Sequence, residues 1–174
     1  EQRWNQALAA AGASAGRVAS EEYRVHCGDG LDRALTLESA DDFHAINRLF
    51  MERRWGDGLP IVPPTKDLVE AMMRGTKRDR HDVVSRIAPG FGAATVERIA
   101  INAVMAGCLP EHMPVLIAAC KAVADKRFNL QSVQTTTDPV AVWLIVNGPI
   151  ADKLSMNHGP NCLGQGNWAN ACLL

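Results

Sequence analysis

The sequence has no apolar run approaching the ~18 residues that a bilayer-spanning helix requires. Its opening stretch, "EQRWNQALAAAGASAG", lacks the basic-then-apolar grading of a signal peptide. Both absences point to a soluble, cytoplasmic protein. Nor is there a surplus of one charge: 18 Lys and Arg stand against 19 Asp and Glu, for a formal net charge of −1. With the basic residues scattered, neither a nucleic acid nor a membrane surface is an expected partner.

The five cysteines, Cys27, Cys108, Cys120, Cys162 and Cys172, include no CxxC and no zinc-like spacing, and their odd number argues against a disulfide framework. Reduced thiols are expected, with Cys108 and Cys120 acting as small core hydrophobes. The glycines in "GQGNWANA" lack the third glycine of a dinucleotide fingerprint and the Lys-Ser/Thr of a P-loop, which makes a nucleotide site a poor fit. There is no internal repeat, and low complexity is confined to the N-terminal arm.

What is present suffices for one globular domain: 174 residues, 47% of them hydrophobic. Residues 1–38 read as an N-terminal arm, partly extended or disordered, and residues 39–174 as an α/β domain. "SADD" at 39–42 is a capping-box-like start, and Phe43, Ile46, Leu49 and Phe50 follow at helical spacing, predicting a helix over about 39–54. "RWGDGLPIVPPT" breaks it with glycines and prolines and reads as an ordered loop, followed by a short helix over 66–74. "HDVVSRIAP" reads as a strand and "GFGAAT" as a glycine turn. "VERIAINAVMAGC" then reads as a helix apolar over most of its surface, and therefore buried. Pro110 and Glu111 suit the first turn of a helix through about Asp125. "FNLQSVQ" is a strand candidate. "VAVWLIV" at 140–146, bounded by Pro139 and "NGP", predicts a strand buried on both faces in a sheet covered by helices.

In such α/β folds ligands collect in loops outside the carboxyl ends of the strands. Three polar loops qualify: "QTTTDP" at 134–139, "NGPI" at 147–150 and "NHGPNCLGQGNWAN" at 157–170. Converging, they would bring Thr136, Asn147, Asn161 and Asn167 into one hydrogen-bonding pocket, with Gly164 and Gly166 offering backbone N–H groups before a probable helix. Taken singly, each of these residue types also serves as an ordinary turn former. Cys162 is the most suggestive thiol, because His158 lies four residues before it and a helix start follows, both of which lower a thiol pKa. Its alternatives are a structural loop cysteine or one ligand of a metal. "HCGDG" at 26–30 reads as a surface turn. Trp55 and Asp57 in the proline-bounded loop suit a pocket wall and a general base; alternatively Trp55 plugs the core and Asp57 makes an Asx turn. Asn102, inside the apolar helix, is either a satisfied buried amide or a pocket residue.

Three stretches together, "RWGDGLPIVPPT", "GFGAATVERIAINAVMAGCLPEHMPVLIAA" and "TTTDPVAVWLIVNGPI" with "NCLGQGNWANA", resemble the domain that accompanies the UGSC-motif (seleno)protein family, over roughly residues 50–174. The resemblance implies an α/β domain and, loosely, an enzyme with thiol or redox associations. It supplies no catalytic residues, and the motif that names the family does not occur here. Family members continue past the "NWANA" segment, and "NWANACLL" is too short a helix to stand without packing. A second polypeptide or segment completing the fold is therefore expected.

The expectation is a subunit of an enzyme acting on a small polar substrate, an oxidoreductase or lyase with Cys162 as the thiol and His158 as its activating partner. Its site would lie in the loops at 55–57, 134–138, 147–149 and 157–167. The alternatives are a noncatalytic assembly subunit whose loops face a partner chain, and a metal-dependent enzyme. The residues single out no cofactor.

Overall fold

The computed structural model describes the backbone of residues 22–25 and 35–38 and, in full, residues 42–160 and 162–164. Within the segment read as an arm, strands β1 (Glu22–Val25) and β2 (Leu35–Glu38) pair antiparallel, Glu22 opposite Glu38 and Val25 opposite Leu35. Helix α1 (Phe43–Arg53) starts behind Asp42, whose carboxylate accepts the His44 N–H at 3.0 Å. Ile46 and Phe50, one turn apart, form its buried stripe. The helix ends where Arg54 turns left-handed and the Trp55 N–H bonds back to the Phe50 carbonyl at 3.0 Å.

Helix α2 (Lys66–Met73) is capped by Thr65, whose hydroxyl accepts the Leu68 N–H at 3.3 Å, and it buries Val69 and Met72. Strands β3 (Val83–Ile87) and β4 (Gly92–Thr95) form an antiparallel hairpin, with Ile87 opposite Gly92. Thr95 closes β4 and caps helix α3 (Val96–Met105), accepting the Arg98 N–H at 3.2 Å. A 3-10 turn (Pro110–His112) leads into helix α4 (Met113–Val123). Short helices α5 (Leu130–Thr135) and α6 (Pro149–Lys153) complete the described elements.

The core is α3 with α2 and α4 packed against it. Val96, Ala100, Ile101 and Met113 are fully enclosed, and Met72, Val104, Leu116 and Ile117 surround them. Position 75 must be glycine: a Cβ there would clash with the Pro110 carbonyl, so the chain just past α2 packs backbone to backbone on the 3-10 turn. The hairpin leans on α4, the Ser85 hydroxyl donating to the Cys120 carbonyl at 3.2 Å. No helix among the described residues is long and apolar enough to cross a membrane.

The protein mixes helices with small antiparallel sheets, and three local expectations need correction. Residues 130–134 of "FNLQSVQ" are helical, within α5: Leu130 and Val133 face inward at a spacing of three, and the Thr135 hydroxyl donates to the Gln131 carbonyl one turn back at 2.8 Å. "GFGAAT" is turn only at its start, because Ala93 and Ala94 are small enough to lay β4 against the helices. Residues 140–146 do not form a buried strand. Trp143 is 60% and Ile145 82% exposed, and no described strand runs beside them.

Candidate functional site

Helix α3 turns most of its surface into the core, but one stripe escapes: Arg98, Asn102 and Ala106, spaced by four residues and so stacked on one side. Two clefts share that stripe. The larger, about 590 Å³, lies between α3, α4 and the hairpin, with Arg98 and Asn102 above an apolar floor of Ile99, Ala103, Leu116 and Cys120. The smaller, about 300 Å³, lies between α3 and the proline-bounded loop, where Trp55, Asp57, Leu59 and Ile61 face Asn102, Met105 and Ala106. Asn102 and Ala106 belong to both.

Long-range hydrogen bonds hold the walls in place. Asn47 of α1 acts as a substitute strand residue, its Oδ1 accepting the Ile61 N–H at 2.7 Å while its Nδ2 donates to the Ile61 carbonyl at 3.2 Å. The next residue, Val62, donates its N–H to the Met105 carbonyl at 3.1 Å, which ties the loop to the end of α3. Asp57 Oδ1 accepts the Leu59 N–H at 2.9 Å, the Asx turn weighed above. Trp55 packs edge-on against Phe50 with ring centroids 5.5 Å apart and lies under the Arg53 guanidinium, so it plugs the α1 cluster and lines the cleft at once.

In the larger cleft Arg98 Nη1 donates to the Ala93 carbonyl at 2.7 Å, fastening the guanidinium to β4. Asn102 is exposed rather than a buried amide, lines the cleft, and its Nδ2 donates to the Arg98 carbonyl at 2.9 Å. Burial pushes the Cys120 thiol above its ordinary pKa, because the surrounding apolar atoms disfavour the thiolate. Behind α3, Arg80 bonds Glu70 at 2.6 Å and the buried Glu97 at 3.2 Å. Those bonds hold the guanidinium pKa above its usual value, Glu70 contributing most, and they brace the approach to the hairpin.

The other residues singled out in the sequence lie elsewhere. Thr136 uses its hydroxyl to accept the Asp138 N–H at 3.1 Å, a local turn. Asn147 lines an apolar groove of about 390 Å³ where Leu144, Ile145 and Val146 cross α4. His158 Nε2 stands 3.4 Å from Asp152 Oδ1, with both side chains largely exposed, and makes no hydrogen bond to Cys162. Cys162 is exposed. Gly164 accepts the Asn157 side-chain N–H at 3.0 Å through its carbonyl, folding the loop on itself. Asn161, Gly166 and Asn167 fall outside the described residues. Among the described residues no group of three or more His, Cys, Asp or Glu side chains is gathered as a metal site would require.

Comparison with family models, curated proteins and solved structures found no match. The geometry alone therefore selects among the candidate sites. Asn47, Arg80 and Arg98 were not singled out from the sequence. Arg98 could have been, since it precedes Asn102 by one helical turn on a helix whose other polar residue is Glu97.

Proposed function

We propose that the chain is a small-molecule-binding subunit of an enzyme, its ligand seated along the Arg98, Asn102 and Ala106 stripe of α3. The observation that carries this reading is the sharing of Asn102 and Ala106 by two clefts of different chemistry. Mostly apolar walls with a few placed polar groups are the usual make-up of small-ligand sites. Asn102 keeps its Oδ1 and one N–H for a ligand. Asp57 spends one carboxylate oxygen on the Leu59 N–H, and the other faces no described partner, which suits proton transfer at the narrower end. The resemblance to the UGSC-associated domain accords with this reading, since two of its three stretches, around "GDGLPI" and "VERIAINAVMAG", supply the two clefts. The oxidoreductase or lyase chemistry expected from the sequence, with Cys162 as its thiol, gains no support from these clefts, since Cys162 lines neither.

The test is a fragment screen by ligand-observed NMR on the chain and on Asn102→Leu and Asp57→Asn. Asn102 is exposed and Asp57 lies in a surface loop, so both variants fold. The expected result is hits that weaken in both. Hits indifferent to both would overturn the reading.

A second reading, an assembly subunit, is favoured by residues 140–146. Their exposed apolar side chains accompany a backbone that, from Ala141 to Val146, makes no hydrogen bond to any described residue. Such an edge is a template for strand addition. The run carries no charge, so the occupant this reading names is an uncharged apolar strand of a second polypeptide pairing with it. Native mass spectrometry of the protein isolated from its source, beside Trp143→Lys, is the check: a complex lost in the variant supports it, and a monomer in both overturns it.

A further inference from the structure

We infer that the larger cleft takes an uncharged ligand, an alkyl or aryl body ending in a carboxamide or a like donor–acceptor group that pairs with Asn102. This rests on the reading of the α3 clefts as a ligand site and adds the chemical class of the ligand.

The polar groups of the walls are the first ground. Among the described residues lining the cleft, Arg98 is the only charged one, and Asn102 is the only other with a strongly polar side chain. Arg98 is engaged within the protein, by the bond from Nη1 to the Ala93 carbonyl and by an interaction beyond it. A carboxylate or ammonium entering the cleft would shed water without meeting an unengaged counter-ion there, at a cost well above that of a neutral group. Asn102 has the capacity to spare. Its Nδ2 spends one N–H on the Arg98 carbonyl, which anchors the amide, while Oδ1 and the second N–H remain for a ligand. An acceptor and a donor on one planar group are matched by the donor and acceptor of another amide.

The floor is the second ground. Ala93, Ile99, Ala103 and Leu116 are buried at the base of the cleft and offer no hydrogen-bonding side chain. Cys120 joins them as a neutral thiol, since burial raises its pKa. A sugar is uncharged too, but its hydroxyls would lie unpaired against that surface, at a cost that an alkyl or aryl body avoids. The volume of about 590 Å³ falls in the range of sites for such molecules. One polar group above a wide apolar floor therefore calls for one polar group on the ligand.

The experiment compares octanamide, octanoate and octylamine on the chain by ligand-observed NMR. In parallel, peptide mass spectrometry follows the rates at which N-ethylmaleimide modifies Cys120, which lines the cleft, and Cys108, which is buried in the core and does not. The expected result is octanamide binding at least about tenfold tighter than either ion. It also slows modification of Cys120 more than that of Cys108, a difference that a general tightening of the fold would not produce. Asn102→Leu weakens octanamide about five- to tenfold, and Asn102→Ala, a second variant at this exposed helical position, does the same. Octanoate or octylamine binding as tightly as octanamide overturns the ligand class, as does octanamide binding that ignores both variants. If none of the three binds while the fragment hits still weaken in Asn102→Leu, the class falls and the clefts remain a ligand site. If none binds and the fragment hits ignore Asn102 and Asp57, both fall.

Discussion

Helix α3 and residues 140–146 are both strongly apolar stretches of the described chain, and they meet opposite fates. Most of α3 is buried, with Val96, Ala100 and Ile101 fully enclosed, whereas no residue of 140–146 is buried. The difference lies in the backbone. A helix satisfies its own amides and asks its neighbours only for side-chain packing, which α2 and α4 provide. An extended segment needs a ladder on its edges as well as cover on its faces. Residues 140–146 have α4 under one side and no described strand on either edge. Hydrophobicity therefore told which residues would be enclosed only where the chain supplied the enclosing elements.

The comparison can be broken most directly at Ile101. Truncation to alanine opens a cavity in a fully enclosed site and is expected to lower stability by about 2–5 kcal/mol in urea unfolding. A loss under about 1 kcal/mol would mean that the α3 core is loosely packed. Next in size is Asn47→Ala, which removes the clamp on Ile61; a loss of roughly 1–3 kcal/mol is expected, with accelerated proteolysis in the 55–64 loop. Unchanged proteolysis would show that the Val62 bond to Met105 suffices.

Cys120 tests the larger cleft by pH. Its folded-state pKa lies above the unfolded value, so between the two the unfolded chain has lost a proton that the folded chain keeps. Stability is undiminished below the ordinary thiol pKa and declines as pH rises from there toward the folded value. Cys120→Ala should flatten that alkaline decline in thermal melts, and an equally steep slope in the variant would assign it to other groups. The smallest effect is expected at Trp143→Ala. On the chain alone it should shift stability by no more than ~0.5 kcal/mol, because the side chain is 60% exposed. A loss comparable to that at Ile101 would erase the contrast between the two regions.

Local signals in the sequence translated well. The helical spacing of Ile46 and Phe50 and the largely apolar pattern of 96–105 each rest on neighbours within a turn, although α1 starts at Phe43, behind Asp42, rather than at about 39. Pro110 likewise opens a turn that runs into α4. Misreadings arose where a short window fits two periods: Leu130 and Val133 in "FNLQSVQ" suit a helix as well as a strand. The candidate site was legible in part. Trp55, Asp57 and Asn102 stood out by type and setting, but what unites them did not. Asn47 reaches Ile61 across fourteen positions, and Arg80 joins Glu70 and Glu97 across ten and seventeen. Side chains matched over such separations leave no periodic trace. The polar tail attracted attention through its residue types, yet His158 and Asp152 form only an exposed pair there.

The contact between Gly75 and the Pro110 carbonyl has a mechanical consequence. With no side chain interposed, α2 and the turn that launches α4 have no soft layer along which to slide, and they move as one rigid frame. Any breathing that admits a guest to the clefts must then come from the opposite walls. Those walls are the β3–β4 hairpin, fastened through Ser85 and Arg98, and the proline loop, fastened through Asn47 and Val62. The molecule is thus a fixed block carrying two latches, one for each cleft.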